Sequence, residues 1–269
     1  MLTPPLVRDR TRLLTVGKPS TDRGSGGGAR LSDGVIQLWF LDRSVHAAPG
    51  WFDILDPTEQ ARATAVRIEG PRAAYVAAHA LVRTALSVAL GPAPGTWRFE
   101  ESQHGHPSIV GLPVRFSLSH AGPNAAVALC REHDLGLDLE RVHAQRDPLP
   151  LAKRFFAASE TAILTGLTAE QRPEIFTLLW TVKEAVLKAR GTGLTARLDS
   201  VTVGLDDAFV PVGVEAPDGP WSVRAWAPEP GLRAALAVRA ETMPALSVFR
   251  AAPLGEAVSA PELGPSFRP

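Results

Sequence analysis

A chain of 269 residues with 45% hydrophobic content can bury a substantial core as one large or two modest domains. Lysine plus arginine balance aspartate plus glutamate at 28 each, which excludes a strong net field for gathering nucleic acid. A single cysteine, Cys130, excludes an intrachain disulfide and a thiolate metal cluster.

No long apolar segment follows Met1, and no later stretch reads as a membrane-spanning run of about 20 apolar residues. The expected compartment is the cytoplasm, with neither membrane nor nucleic acid as partner. Residues 1–32, rich in Arg, Pro and Gly, read as a disordered tail, and the Pro- and Gly-bearing residues 251–269 as a flexible one. Between them, Val35 to Phe40 predicts a strand. Asp56-Pro57-Thr58-Glu59 predicts a helix start, with Asp56 as N-cap and Glu59 three residues on, running to about Val66. Pro71 opens a second helix, in which Tyr75, Ala78, Val82, Ala85 and Ala89 share one side while Arg72 and Arg83 extend toward water or an anion.

The period then changes to two. Val114–Leu118, Ala125–Cys130 and Asp134–Glu140 predict strands, with Cys130 as an inert buried thiol. One helical region follows Pro150 through Ser159 to Leu167, and a longer helix runs from Pro173 to Arg190, closed by Gly191 in the left-handed conformation. Strands are expected at 201–203, 221–226 and 234–238. The order predicts an α+β protein of two halves. Residues 33–142 carry the Ser-His and Asp-x-Glu segments, and residues 143–250 carry the Lys-Glu helix.

In Leu135-Gly136-Leu137-Asp138-Leu139-Glu140 the leucines face one way, and Gly136, Asp138 and Glu140 the other. Two adjacent carboxylates repel unless a cation compensates, and Mg²⁺ binds such oxygens together with substrate phosphates. Alternation alone does not specify a metal. On the long helix Trp180, Glu184 and Lys188 stand four apart and form one stripe, which by itself is an ordinary surface pair. If strand and helix meet, Asp138, Glu140 and Glu184 can hold a metal while Lys183 and Lys188 balance phosphate charge. Ser119 and His120, at the end of a strand, are donors for phosphate or ribose oxygens, and no G-x-S-x-G elbow makes them a hydrolase pair.

Three segments together resemble the Sfp-type 4'-phosphopantetheinyl transferases: Gly105-His106-Pro107 followed by Phe116-Ser117-Leu118-Ser119-His120; Gly136-Leu137-Asp138-Leu139-Glu140; and Trp180-Thr181-Val182-Lys183-Glu184-Ala185-Val186-Leu187-Lys188 continuing to Leu194. The likeness runs from about Val35 to Val238. It implies a monomeric pseudo-dimer of two similar α/β-type halves with the active site in the cleft between them. It also implies coenzyme A as co-substrate, Mg²⁺ as cofactor, and apo carrier proteins of polyketide, nonribosomal peptide or fatty-acid synthases as partners. By motif, Ser119 and His120 contact the nucleotide end with its 3'-phosphate, and Asp138 and Glu140 ligate magnesium. Glu184 serves the metal or takes the acceptor serine's proton. Lys188 stabilises phosphate charge, with Lys183 as helper. Some members of the family carry lysine where this chain has Glu59, so nucleotide anchoring is expected to fall to Arg62, Arg72 or Arg83. A coenzyme A-dependent acyltransferase and a carrier-binding module without activity are the competing readings.

Overall fold

The computed structural model describes residues 30–41, 50–101, 107–192, 196–251 and 257–259. Strand β1 (Val35–Leu41) is followed by helices α1 (Pro57–Ala65) and α2 (Glu69–Leu90) and the short hairpin β2 (Phe99–Glu101) and β3 (Pro107–Ile109). Strands β4 (Arg115–Ala121), β5 (Asn124–Cys130) and β6 (Leu135–Arg141) come next, then helices α3 (Leu149–Phe155), α4 (Ala158–Gly166) and α5 (Arg172–Arg190). The chain ends with β7 (Thr202–Leu205), β8 (Pro211–Glu215), β9 (Ser222–Trp226), β10 (Leu232–Val238), β11 (Ala245–Ala251) and β12 (Ala257–Ser259).

Helix α1 starts as its sequence dictates. Asp56 accepts the Glu59 N–H at 2.9 Å and Glu59 returns the bond to the Asp56 N–H at 2.9 Å, a reciprocal capping box. Gly191 closes α5 with φ of 67°. The single helical region expected from Pro150 to Leu167 is instead α3 and α4. Phe156 and Ala157 are extended between them, and the Glu160 carboxylate accepts the Ala157 N–H at 2.9 Å to start α4 afresh.

Two sheets stack between two helices. The first has the order β12-β11-β1-β5-β4 and the second β6-β10-β9. Period two decides what lies on each side. Trp39 and Leu41 of β1 join the core under α2, whereas Ile36 and Leu38 join a middle core between the sheets. Leu135, Leu137 and Leu139 of β6 enter that middle core, while Ala235 and Ala237 of β10 lie in a third core under α5. The result is an α+β fold with two similar sheet-and-helix sub-regions. The sub-regions exchange strands across the 142/143 boundary: β6 pairs with β10, and β11 returns to lie parallel to β1. Most of the two expected tails lies outside the described residues, but Leu31 is buried with its N–H on the Ala89 carbonyl, and β12 falls within 251–269.

Helix α2 is long and apolar enough to cross a bilayer, which the sequence reading did not anticipate, yet 61% of its apolar window is buried in the fold. Cys130 is buried, its thiol donates to the His133 carbonyl at 3.0 Å, and burial pushes its pKa up, as an inert thiol requires.

Helix α5 packs directly on β6 at Gly136. A Cβ there would lie 1.9 Å from the Ala185 carbonyl oxygen and 2.4 Å from the Ala189 nitrogen, both backbone atoms of α5. Gly136→Ala is therefore expected to cost about 3 kcal/mol or more, read as a drop in the urea midpoint. Gly166→Ala, where an added Cβ meets nothing within 4 Å, leaves the midpoint nearly unchanged.

Candidate active site

Because Gly136 lets α5 lie directly on β6, the helix stripe and the strand carboxylates meet. Lys188 Nζ is 2.7 Å from Asp138 Oδ1 and also donates to the Leu137 carbonyl at 3.2 Å and to Ser119 Oγ at 3.1 Å. Ser119 accepts the Leu139 N–H at 3.0 Å and donates to Asp138 Oδ1 at 3.1 Å. Ser117 likewise accepts the Leu137 N–H at 2.9 Å. Two serine hydroxyls, spaced by the strand period, thus join edge strand β4 of one sheet to edge strand β6 of the other.

The charges at this seam repel. Glu140 is pushed up to about 7, first by burial and then by the Asp138 charge, with Glu184 adding to the repulsion and Lys188 and the Trp180 indole N–H opposing it. Burial, then Asp138, also raises Glu184, and Lys188 again opposes. Burial raises Asp138 against the counter-effects of Lys188, Ser119 and the Leu139 N–H. Asp138 Oδ2 is buried without a hydrogen-bond partner. Among the described residues no group of three His, Cys, Asp or Glu side chains is gathered to hold a metal by itself. The orphaned Asp138 oxygen, with the Glu140 carboxyl raised by burial and the Asp138 charge, fits a hard divalent cation that takes its remaining ligands from water and substrate phosphate. Grooves open on both sides of Trp180, one bordered by Glu140 and the other by Glu184.

Other expected site residues are placed differently. Lys183 is wholly buried: it pairs with Glu160 Oε2 at 2.7 Å, donates to the carbonyls of Leu198 (3.2 Å) and Val201, and lies over the Phe156 ring. It holds the segment after α5 and faces no phosphate groove. Arg83, expected to reach water or an anion, has a side-chain exposure of 0%. Its guanidinium is occupied by Asp56, Glu59 and the carbonyls of Pro94 and Trp97. Arg72 pairs with Glu69 on the outer first turn of α2, and Arg62 is exposed on α1 beside Tyr75. Ser119 is buried at the seam, whereas His120 sits exposed on the opposite face of β4, its pKa lowered by the part of the ring that is desolvated and then by His79 and Lys188. His79 was not singled out from the sequence; its i, i+4 spacing from Tyr75 was the available signal. Gly193 and Leu194, and Gly105 and His106, lie outside the described residues.

Residues 134–237, which span β6 to β10 and include α5, match the model of the 4'-phosphopantetheinyl transferase superfamily (ACPS). The chain is 34% identical over 215 residues to the 4'-phosphopantetheinyl transferase HetI of Nostoc sp., covering 77% of this chain and 89% of that protein. It is 31% identical over 142 residues to the 4'-phosphopantetheinyl transferase Sfp of Bacillus subtilis, covering 52% of this chain and 62% of that protein.

Two outcomes follow from the electrostatics. The folded-state pKa of Glu140 lies above its unfolded value near 4.5, so its stabilising effect is complete below that value and is lost as pH rises through about 7. The metal-free protein should lose stability between pH 5 and 8 in urea titrations, and Glu140→Gln should flatten that loss. Lys183→Ala, which strands the Glu160 carboxylate, should cost about 3–5 kcal/mol by the same measurement, and Lys183→Met clearly less if packing of the stem matters.

Proposed function

The chain belongs to the 4'-phosphopantetheinyl transferase superfamily, and we propose that it transfers the 4'-phosphopantetheine group of coenzyme A to a serine of an apo carrier protein, releasing 3',5'-ADP. The supporting observation is the Lys188–Asp138 pair at 2.7 Å, with the other Asp138 oxygen buried and unsatisfied and with Glu140 and Glu184 raised by burial and by the Asp138 charge. Such a cluster is costly in a protein that binds only neutral surfaces, and suits one that gathers a cation and a pyrophosphate.

In this reading Asp138 and Glu140 would hold Mg²⁺, with Glu184 contributing from the helix. Bound there, the ion would supply charge neutralisation to the substrate phosphates. Lys188 stabilises the developing negative charge on the leaving phosphate oxygen, and Asp138 Oδ1 and Ser119 keep its ammonium aimed at the seam. Glu184 takes the proton from the acceptor serine hydroxyl as that oxygen bonds to the β-phosphorus and the phosphorus–oxygen bond to 3',5'-ADP breaks. A raised carboxyl pKa favours this role, since a more basic carboxylate accepts a proton more readily. The acceptor serine belongs to the carrier, so this chain supplies no nucleophile.

Incubation with coenzyme A, magnesium and apo carriers of polyketide, nonribosomal peptide and fatty-acid synthases, followed by intact-protein mass, reads reaction and partner together. The expected result is addition of a phosphopantetheine arm with appearance of 3',5'-ADP. Free coenzyme A as product would instead indicate acyl transfer, and binding without a mass change a docking module. Asp138→Asn and Lys188→Ala should each lower kcat by about 100-fold or more with folding retained. Unchanged turnover in either would remove that residue from the chemistry.

A further inference from the structure

Gly136 sets how near α5 lies to β6, but a glycine against Ala185 and Ala189 has no side-chain ridge to stop the helix turning about its own axis. The roll of the helix matters. Glu184 and Lys188 act from an outer surface about 5–6 Å from the axis, where a roll of about 10° moves a group by about 1 Å. At a reacting centre a misplacement of that size costs up to about 100-fold.

A device that fixes the roll lies on another flank of α5. Lys183, about 140° around the helix from Lys188, is fully buried and pairs with the equally buried Glu160 Oε2 at 2.7 Å. The same ammonium donates to the carbonyls of Leu198, at 3.2 Å, and Val201, so all three of its donors are used. Glu160 in turn accepts the N–H of Ala157 at 2.9 Å and of Val203 at 2.8 Å. Val201 and Val203 enter the core that holds Ala235 and Ala237 of β10, so these bonds run from α5 through α4 and residues 198–203 back to the sheet. Two walls of the groove beside Glu184 hang from the same bonds. Phe155 precedes the Phe156–Ala157 turn that Glu160 caps, and Leu198 is held by its carbonyl. For stability alone such a pair is a poor choice, since apolar groups in place of a whole buried ion pair are often neutral or better. Its directional bonds instead select one rotation of the helix.

We propose that Lys183 and Glu160 are positioning residues for the transfer step: together they fix the roll of α5 and so the places of Glu184 and Lys188 at the Asp138 seam. Their effect on turnover rests on the transferase reading above, and neither residue touches substrate.

The double variant Glu160→Gln/Lys183→Met strands no charge and is expected to fold with a urea midpoint near that of the wild type. With coenzyme A, magnesium and a carrier, its kcat should fall about 10- to 100-fold while KM for coenzyme A stays within about twofold, a loss confined to the transition state. In a Glu184→Gln background the same double change should cost a clearly smaller factor, because the base it misplaces is already gone. Glu160→Gln alone, which keeps the ammonium on its two carbonyls, should show the same split at smaller amplitude and decides the matter should the double variant fail to fold. A second measurement needs no turnover: the coupling between Asp138→Asn and Lys188→Ala in urea denaturation should drop by more than half when Glu160 and Lys183 are replaced. Unchanged kcat with undiminished coupling overturns the proposal. So does an equal loss in the wild-type and Glu184→Gln backgrounds, or a KM that rises in step with a falling midpoint, either of which marks the pair as structural only. If no carrier gains mass with the wild type, the transferase reading falls, and the coupling still decides whether the pair places Lys188: its loss supports the proposal and its survival overturns it.

Discussion

The contact between α5 and β6 at Gly136 governs the rest of the molecule. A strand and a helix normally keep their backbones apart by the thickness of side chains, but here an added methyl group would overlap the Ala185 carbonyl oxygen. The small residues Ala185 and Ala189 on the helix complete the close fit. Bringing α5 this near is what allows Lys188 to reach across to Asp138 at 2.7 Å, the Leu137 carbonyl and Ser119. With the helix lifted by one side-chain layer, its Glu-Lys stripe would be an ordinary solvated face, worth a few tenths of a kcal/mol. Packing thus creates the electrostatics: the same approach that desolvates Asp138 supplies the ammonium that tolerates it.

That compensation is incomplete. Lys188 provides one positive charge against Asp138, Glu140 and Glu184, and the orphaned Asp138 Oδ2 and the raised pKa of Glu140 record the shortfall. By contrast, the fully buried Lys183–Glu160 pair a turn away is closed, with the carboxylate accepting the Ala157 and Val203 N–H groups and the ammonium bonded to two carbonyls. The protein can satisfy a buried ion pair where structure is the purpose. Leaving the neighbouring carboxylates short of cation is a feature of the proposed site, since a group that must receive metal and phosphate has to keep ligand valence open.

Features governed by local rules were legible in the sequence. The Asp56–Glu59 capping box, the Gly191 helix end and the two faces of β6 each depend on residues within a few positions of one another, and each appears as expected. The Glu184–Lys188 stripe was visible for the same reason. Lys183 offered a missed clue: five residues before Lys188, it lies about 140° away around the helix and could not share its face. Other features depend on partners far along the chain. Nothing near Arg83 announces that Asp56 and Glu59 will enclose it, and Ser119 looks like a loop donor until β4 is set against β6. Strands β2, β3, β8, β11 and β12 escaped notice because each is short or takes its place from a partner elsewhere in the chain.

The seam between β4 and β6 explains why the two sub-regions act together. No backbone ladder crosses it; the sheets meet through Ser117 and Ser119, whose hydroxyls take the Leu137 and Leu139 N–H groups that an adjoining strand would otherwise bond. These side-chain bonds at alternate residues fall on either side of Asp138. Ser119 bonds Asp138 and Lys188, while the next residue, His120, turns to the α2 face of β4. Two successive residues of one strand therefore face opposite ways, Ser119 to Asp138 and Lys188, and His120 to the α2 side.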